Sequence, residues 1–281
     1  METTVFLAVL FAALCHAGWN ALVKVGLDPL STTTLIAIGS GLVALPFLPF
    51  TGLPQSAAWP WLAASAVIHL FYFAALIESY RTGDLGQVYP IARGSAPLMT
   101  ATATTFIVGE RLSLIGWSGI VVLVAGVFLL SARGGRDLMR FDRRAVGFAL
   151  LTGLTICAYS VTDGIGARLA GDPNAYSLAL FVINAFVLVP YALARDGRVI
   201  FPAMRAYWRR GFAGGALQVL SYGTVLWAMT MAPIAVVATL RETSVLFGAA
   251  IAVIVLKELL RAVRIAAALL IVGGLALIRI Q

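Results

Sequence analysis

The sequence predicts an all-α integral membrane protein of ten transmembrane helices, set as two inverted five-helix repeats. Three observations predict it. The chain is 61% hydrophobic and 11% charged over 281 residues, with a mean hydropathy of +0.96, whereas a soluble domain carries about 25% charged residues. Its apolar runs are unbroken and long enough to cross a bilayer as helices, without the period-two alternation of barrel strands. Finally, two rare charges inside such runs recur in one ungapped register. Tyr89 to Glu110 (YPIARGSAPLMTATATTFIVGE) laid on Val237 to Glu258 (VATLRETSVLFGAAIAVIVLKE) is a shift of 148 that places Arg93 on Arg241 and Glu110 on Glu258. The register continues, with Leu112 on Leu260, Gly126 on Gly274 and Leu129 on Leu277.

The spans fall at roughly 4–26, 31–50, 57–79, 85–108, 113–132, 145–168, 174–194, 207–230, 234–256 and 262–280. The first carries Cys15, His16, Trp19 and Asn20, and the second follows Asp28-Pro29. The third holds His69 and, near its end, Glu78. The fourth starts near Tyr89-Pro90 and holds Arg93; Pro97, deeper in it, is expected to kink it and free carbonyls near Arg93. A basic linker at 133–144 follows the fifth span and separates a first repeat, 1–132, from a second, 145–281. The sixth span carries Cys157, Tyr159 and Asp163, the seventh follows Asp172-Pro173, the eighth holds Tyr222 and Trp227, and the ninth holds Arg241-Glu242. Small residues at Ala63-Ala64-Ser65-Ala66, Gly214-Gly215-Ala216 and Gly273-Gly274 allow close helix packing.

An odd number of spans per repeat turns the second half upside down relative to the first. Many secondary transporters are built so, with the site near the midplane between the halves. Fifteen of the 20 lysines and arginines, from Lys24 to Arg264, fall in loops after odd-numbered spans, against three (Arg111, Arg168 and Arg279) at the other face. That bias puts the odd loops in the cytoplasm and both termini outside, in an inner membrane of bacterial type. The same distribution accounts for the net charge of +8 without a nucleic-acid partner. Met1 to Leu14 lacks a basic start and runs straight into the first span, so no cleaved leader is expected.

His16-Ala17-Gly18-Trp19-Asn20-Ala21-Leu22-Val23-Lys24, the acidic turns Gly109-Glu110-Arg111-Leu112-Ser113 and Lys257-Glu258-Leu259-Leu260, and the five-plus-five span pattern resemble the EamA family of the drug/metabolite transporter superfamily. The resemblance implies a secondary transporter of a small polar metabolite, and export rather than import. Two features depart from the common pattern: the outward termini, and the arginine pair. The pair is similar to that of a narrower group of EamA-like proteins, some associated with phosphonate utilisation.

A charge at membrane depth is costly and marks a functional site by default. Arg93 and Arg241 are read as guanidinium forks at a central cavity, suited to a carboxylate or phosphonate. The plainer reading is that each pairs with a buried acid and locks helices together. Tyr89, one turn before Arg93, is the best aromatic lining candidate, with Trp19, Asn20, Tyr159 and Tyr222 around it. Asp163 or Glu242 can carry a coupling proton or serve as the partner of an arginine. His69 can titrate, or simply join helices by hydrogen bonds. Glu78 sits one turn before Arg81, where an interfacial pair is the simpler account. Glu110 and Glu258 read as structural caps of the turns.

The histidines and cysteines lack metal-ligand spacing, and no phosphate-binding glycine loop or nucleotide-binding domain is present. The expectation is therefore no enzyme and no cofactor: a carrier driven by a gradient or by exchange, in the lipid bilayer as a monomer or homodimer, with protons as a candidate coupling ion. The substrate class is anionic or zwitterionic, of amino acid or organic acid type. Alternatives are a carrier for phosphonates or phosphorylated metabolites, or a non-transporting membrane protein such as a flippase subunit or sensor.

Overall fold

The computed structural model describes residues 1–22, 27–82, 85–131, 143–256 and 262–280, without the side chains of 79–82, 85–90, 131, 203, 252, 255 and 256. Among these, all regular structure is helical: α1 (Thr3–Leu22), α2 (Pro29–Ala44), α3 (Leu48–Thr51), α4 (Trp59–Thr82), α5 (Leu85–Ala103), α6 (Leu114–Ser131), α7 (Arg143–Leu169), α8 (Pro173–Asp196), α9 (Ile200–Arg205), α10 (Trp208–Met231), α11 (Ile234–Arg241), α12 (Ser244–Leu256) and α13 (Ala262–Ile280). Each expected span contains a helix. Among the described residues, seven segments are long and apolar enough to cross a membrane, and Leu114–Leu130 is a shorter apolar helix. Large apolar side chains such as Phe11, Phe50, Phe71, Phe106, Phe186 and Leu269 stand exposed on the outside of the bundle, as expected where lipid is the solvent. The chain is a multi-pass membrane protein.

Both Asp-Pro dipeptides start helices in the same way. Asp28 Oδ1 accepts from the backbone N–H of Leu30 at 2.9 Å and of Ser31 at 3.0 Å, and Asp172 Oδ1 accepts from Asn174 N at 2.8 Å. A proline follows at the first helical position of α2 and of α8. The aspartate satisfies amides that have no intrahelical partner, and the proline gives up an N–H that would have had none. Burial pushes the Asp28 carboxyl up, but the hydrogen bonds from Ser31 and Leu30 outweigh it and hold the group below the usual range.

Two helix irregularities stand out. The fourth span runs as one helix through Pro97 to Ala103 and ends in a π-turn at Thr104–Val108, closed by Gly109 at φ 75°. The ninth span breaks instead, at Glu242-Thr243 between α11 and α12, although it contains no proline. There the backbone tightens to i→i−3 bonds, Glu242 N to Thr239 O and Thr243 N to Leu240 O. The Thr243 hydroxyl also takes the Leu240 carbonyl at 2.8 Å, offering the backbone an alternative to the α-ladder. The break places Arg241 and Glu242 at a helix end, where neither is held to the regular register.

The main helix pairs are α6–α13, α4–α7, α1–α10, α5–α7, α2–α10 and α2–α8. Glycine lets two of these close to backbone contact. A Cβ on Gly215 would lie 2.4 Å from the carbonyl carbon of Gly39, and one on Gly274 would lie 2.7 Å from the carbonyl oxygen of Gly119. Gly273 faces open space, so of that pair only Gly274 serves packing. The largest apolar core, with Val9, Tyr176, Leu180, Met229, Ile234 and Val237, gathers the end of α10, the start of α8 and the start of α11. It fills one end of the bundle and leaves the other to a cavity.

Candidate functional site

The cavity holds about 450 Å³ and is lined from α1, α2, α4, α5, α7, α8, α10 and α11. Its lining runs from Ser221, Tyr222 and Arg241 in the interior to Leu27, Pro29 and Thr33. Its mouth is thus at the end where α1 stops and α2 starts. At the other end Glu110 clasps three elements. It pairs with Arg168 at 2.8 Å and accepts from Ile234 N at 2.8 Å and Ala235 N at 3.3 Å, the first turn of α11. Arg168 also donates to Met229 O at 2.9 Å and Ala232 O at 3.1 Å. Glu110 is therefore a helix cap, its charge placed where the N-terminal amides favour it. Its counterpart Glu258 lies outside the described residues.

Both arginines line the cavity, Arg93 from α5 and Arg241 from the end of α11, at 6% and 2% exposure. Their partners differ. Arg93 Nε meets Glu242 Oε2 at 2.9 Å, and its Nη2 reaches Ser244 Oγ at 3.2 Å and His16 Nε2 at 3.1 Å. A guanidinium only donates, so His16 Nε2 accepts and the ring hydrogen sits on Nδ1. Arg241 has weaker company: Tyr159 Oη at 3.5 Å, Glu242 Oε1 at 3.9 Å, and the faces of Tyr159 and Tyr222 at 5.8 Å each. Its buried Nε has no hydrogen-bond partner. Glu242 thus lies closer to Arg93 than to its neighbour Arg241, and ties α5 to the end of α11.

Of the other expected residues, Trp19, Asn20, His69, Tyr159 and Tyr222 line the cavity. Asn20 Nδ2 donates to His16 O at 2.8 Å, and Trp19 packs edge-on to His16 at 5.1 Å with its indole N–H unpartnered. His69 stacks on Tyr159 at 4.5 Å and touches Ser65 Oγ through Nδ1 at 3.1 Å. Asp163 is fully buried beneath the cavity wall, where its carboxylate accepts from Tyr176 Oη at 2.9 Å and Tyr222 Oη at 2.6 Å. Glu78 is not brought to the cavity. It pairs with Arg195 of α8 at 3.0 Å and borders a shallow apolar groove with Phe71, Leu151 and Leu154. The local pair expected with Arg81 lies outside the described residues, since the side chain of Arg81, like that of Tyr89, is not described. Among the described residues no group of three or more His, Cys, Asp and Glu could hold a metal.

Sequence reasoning missed Tyr176, Phe181, Asn184, Gln218 and Ser244. Asn184 Oδ1 and Gln218 Oε1 are buried in the cavity wall without partners. The signal for these two was available: single amides inside long apolar runs. Tyr176 and Phe181 carried none, since an aromatic near a helix start reads equally well as core.

Membrane-crossing helices around a polar cavity with buried charges define the class of membrane transporters. The chain matches the EamA-like transporter family over residues 3–132 and 143–280, and it belongs to that family. It is similar to the uncharacterized transporter YwfM of Bacillus subtilis, 26% identical over 133 residues, which span 47% of this chain and 44% of YwfM. It is also similar to the spermidine export protein MdtI of Klebsiella pneumoniae, 32% identical over 115 residues that make up 41% of this chain and 91% of MdtI. A solved crystal structure superposes with a TM-score of 0.77 at 18% identity, covering 98% of this chain and 95% of its own. At that identity the likeness is one of fold.

Proposed function

We propose that the chain is a secondary exporter of a small monoanionic or zwitterionic metabolite of the amino acid or organic acid type. It would work by alternating access between two inverted five-helix halves in a bacterial inner membrane. The observation that carries the substrate class is Arg241: a buried guanidinium on the cavity wall, with an unpartnered Nε. Among the described residues the two guanidinium groups share one ion-pair partner, Glu242, which lies closer to Arg93. One positive charge is left for a ligand, which suits a carboxylate better than a doubly charged phosphonate. The same charge argues against a polycation of the kind named for MdtI.

Several observations support the inverted repeat. Helix contacts come in matched sets under exchange of the halves: α4–α7 with α1–α10, α2–α10 with α4–α8, and α6–α13 and α2–α8 with themselves. Asp28 and Asp172 cap equivalent helices. MdtI matches along almost its whole length to less than half of this chain. The cavity mouth lies at the face rich in lysine and arginine, which the charge bias makes cytoplasmic, as an exporter open for loading requires. Asp163 is the coupling residue favoured here, because Glu242 is engaged with Arg93.

Purified wild-type protein, Arg241→Ala and Arg93→Ala are compared by thermal shift with an amino acid panel and a phosphonate panel. Wild type is expected to be stabilised by amino acids, and Arg241→Ala to fold normally and lose that shift. A shift produced by phosphonates alone, or one kept in full by Arg241→Ala, overturns the assignment.

A further inference from the structure

Asp163 stands between two environments. On the cavity side it is reached through Tyr222, which lines the cavity and donates to it at 2.6 Å, and through Ser65 and the cavity-lining His69 of α4. On the other side Tyr176 donates to it at 2.9 Å from the first turn of α8. Tyr176 is fully buried within the apolar core that closes the bundle opposite the mouth. Gly166 makes room for it: a Cβ there would lie 2.4 Å from the Tyr176 ring. The groups around Asp163 are thus Tyr176 from α8, Tyr222 from α10, Ser65 and His69 from α4, and Arg241 of α11 beyond the Tyr222 ring.

The helix caps supply a register between the halves for this cluster. Asp28-Pro29 laid on Asp172-Pro173 is a shift of 144, which places Trp19 on Asp163 and Thr32 on Tyr176. Trp19 and Thr32 line the present cavity. In an inverted repeat, residues that line the open side of one half are hidden in the other half, and alternating access swaps them. Asp163 and Tyr176 then line the cavity that opens to the opposite face. The halves differ in chemistry at these two places, an indole and a threonine in one, a carboxylate and a phenol in the other. Only the second can load a proton.

We propose that Asp163 takes a proton from the face opposite the present mouth, reached past Tyr176, and delivers it to the mouth-side cavity through Tyr222. This rests on the transporter reading and the inverted repeat given above. A proton from water at the far face binds the Asp163 carboxylate while that side is open. After the exchange, Asp163 donates to the Tyr222 oxygen and the Tyr222 hydroxyl hydrogen passes to cavity water, so one proton leaves for each that enters. With the mouth cytoplasmic, inward proton flow drives outward substrate flow.

The test uses full-length protein in proteoliposomes, in a Cys15→Ser, Cys157→Ser background. Arg198→Cys, at the end of α8 on the mouth side, reports that face to a membrane-impermeant maleimide. Tyr176→Cys is expected to label from the opposite face, and labelling from the Arg198 face, or from neither, overturns the proposal without reference to any substrate. Efflux of a radiolabelled amino acid mixture is then followed with and without a pH gradient. Asp163→Asn is expected to lose the gradient response, and Tyr176→Phe, which keeps the ring, to lose most of it. If Asp163→Asn responds like wild type, the coupling role falls; if only Tyr176→Phe does, the route falls and the coupling residue stands.

Discussion

Arg93 and Arg241 fall on one another in the 148-residue register of the sequence but have different partners, and they are expected to respond differently to substitution. Removing Arg93 leaves Glu242 buried at 1% exposure without its nearest cation, a loss of about 3–5 kcal/mol for a buried pair broken on one side. Arg93→Ala should therefore lower the thermal midpoint in detergent markedly. Arg93→Met combined with Glu242→Gln, which removes both charges, should recover most of it. A double variant no more stable than Arg93→Ala would show that the pair matters through something other than charge. Arg241→Ala gives up a guanidinium with poor partners and should cost far less stability while abolishing ligand stabilisation. That outcome would mark Arg93 as chiefly a brace between α5 and the end of α11, and Arg241 as the group left to meet a ligand.

At the scale of elements, glycine contacts and aspartate caps set how the helices meet. Gly39 and Gly215 bring α2 and α10 to backbone contact beside the cavity-lining Ser40 and Gln218. Gly215→Val puts atoms where the Gly39 backbone already lies, an overpacking cost of about 1–3 kcal/mol, and should lower the thermal midpoint; Gly273→Val, facing open space, should leave it unchanged. Asp28→Ala removes an N-cap worth about 1 kcal/mol. Because the folded-state pKa of Asp28 is depressed, that contribution is present above the unfolded pKa and is lost as pH falls through the folded one. The difference between Asp28→Ala and wild type should be full at neutral pH and vanish in strong acid. A constant difference across that range would assign the loss to packing.

At the scale of the molecule, the bundle is open at one end and closed at the other, and the Glu110–Arg168 clasp sits at the closed end. It joins the end of α7, the turn before α6 and the start of α11. Arg168→Gln should weaken the closure by about 1 kcal/mol, roughly a fivefold shift in the population open on that side. A cysteine at Leu180, within the closing core, should then react faster with an impermeant maleimide from that face. An unchanged rate would show that the apolar core closes this end without help from the clasp.

The sequence by itself determined the solvent, the helical class and the two membrane-depth arginines. Composition and run length decide where a chain can hide its backbone polar groups, and a rare charge in an apolar run is visible without coordinates. The repeat of Arg93 in Arg241 was legible for the same reason, as was Glu110 as a cap. The tertiary structure alone decided partners. Nothing local says that Glu242 meets Arg93, that Glu78 meets Arg195, or that Asp163 rests under two tyrosine hydroxyls. Such pairings depend on how helices distant in sequence are turned toward one another, and that rotation is fixed by packing spread over the whole bundle, at contacts such as Gly39 on Gly215. The break at Glu242-Thr243, which no proline marks, belongs to the same class. There a threonine hydroxyl competes for a carbonyl of the helix ladder, beside an ion pair that only the packed bundle brings together.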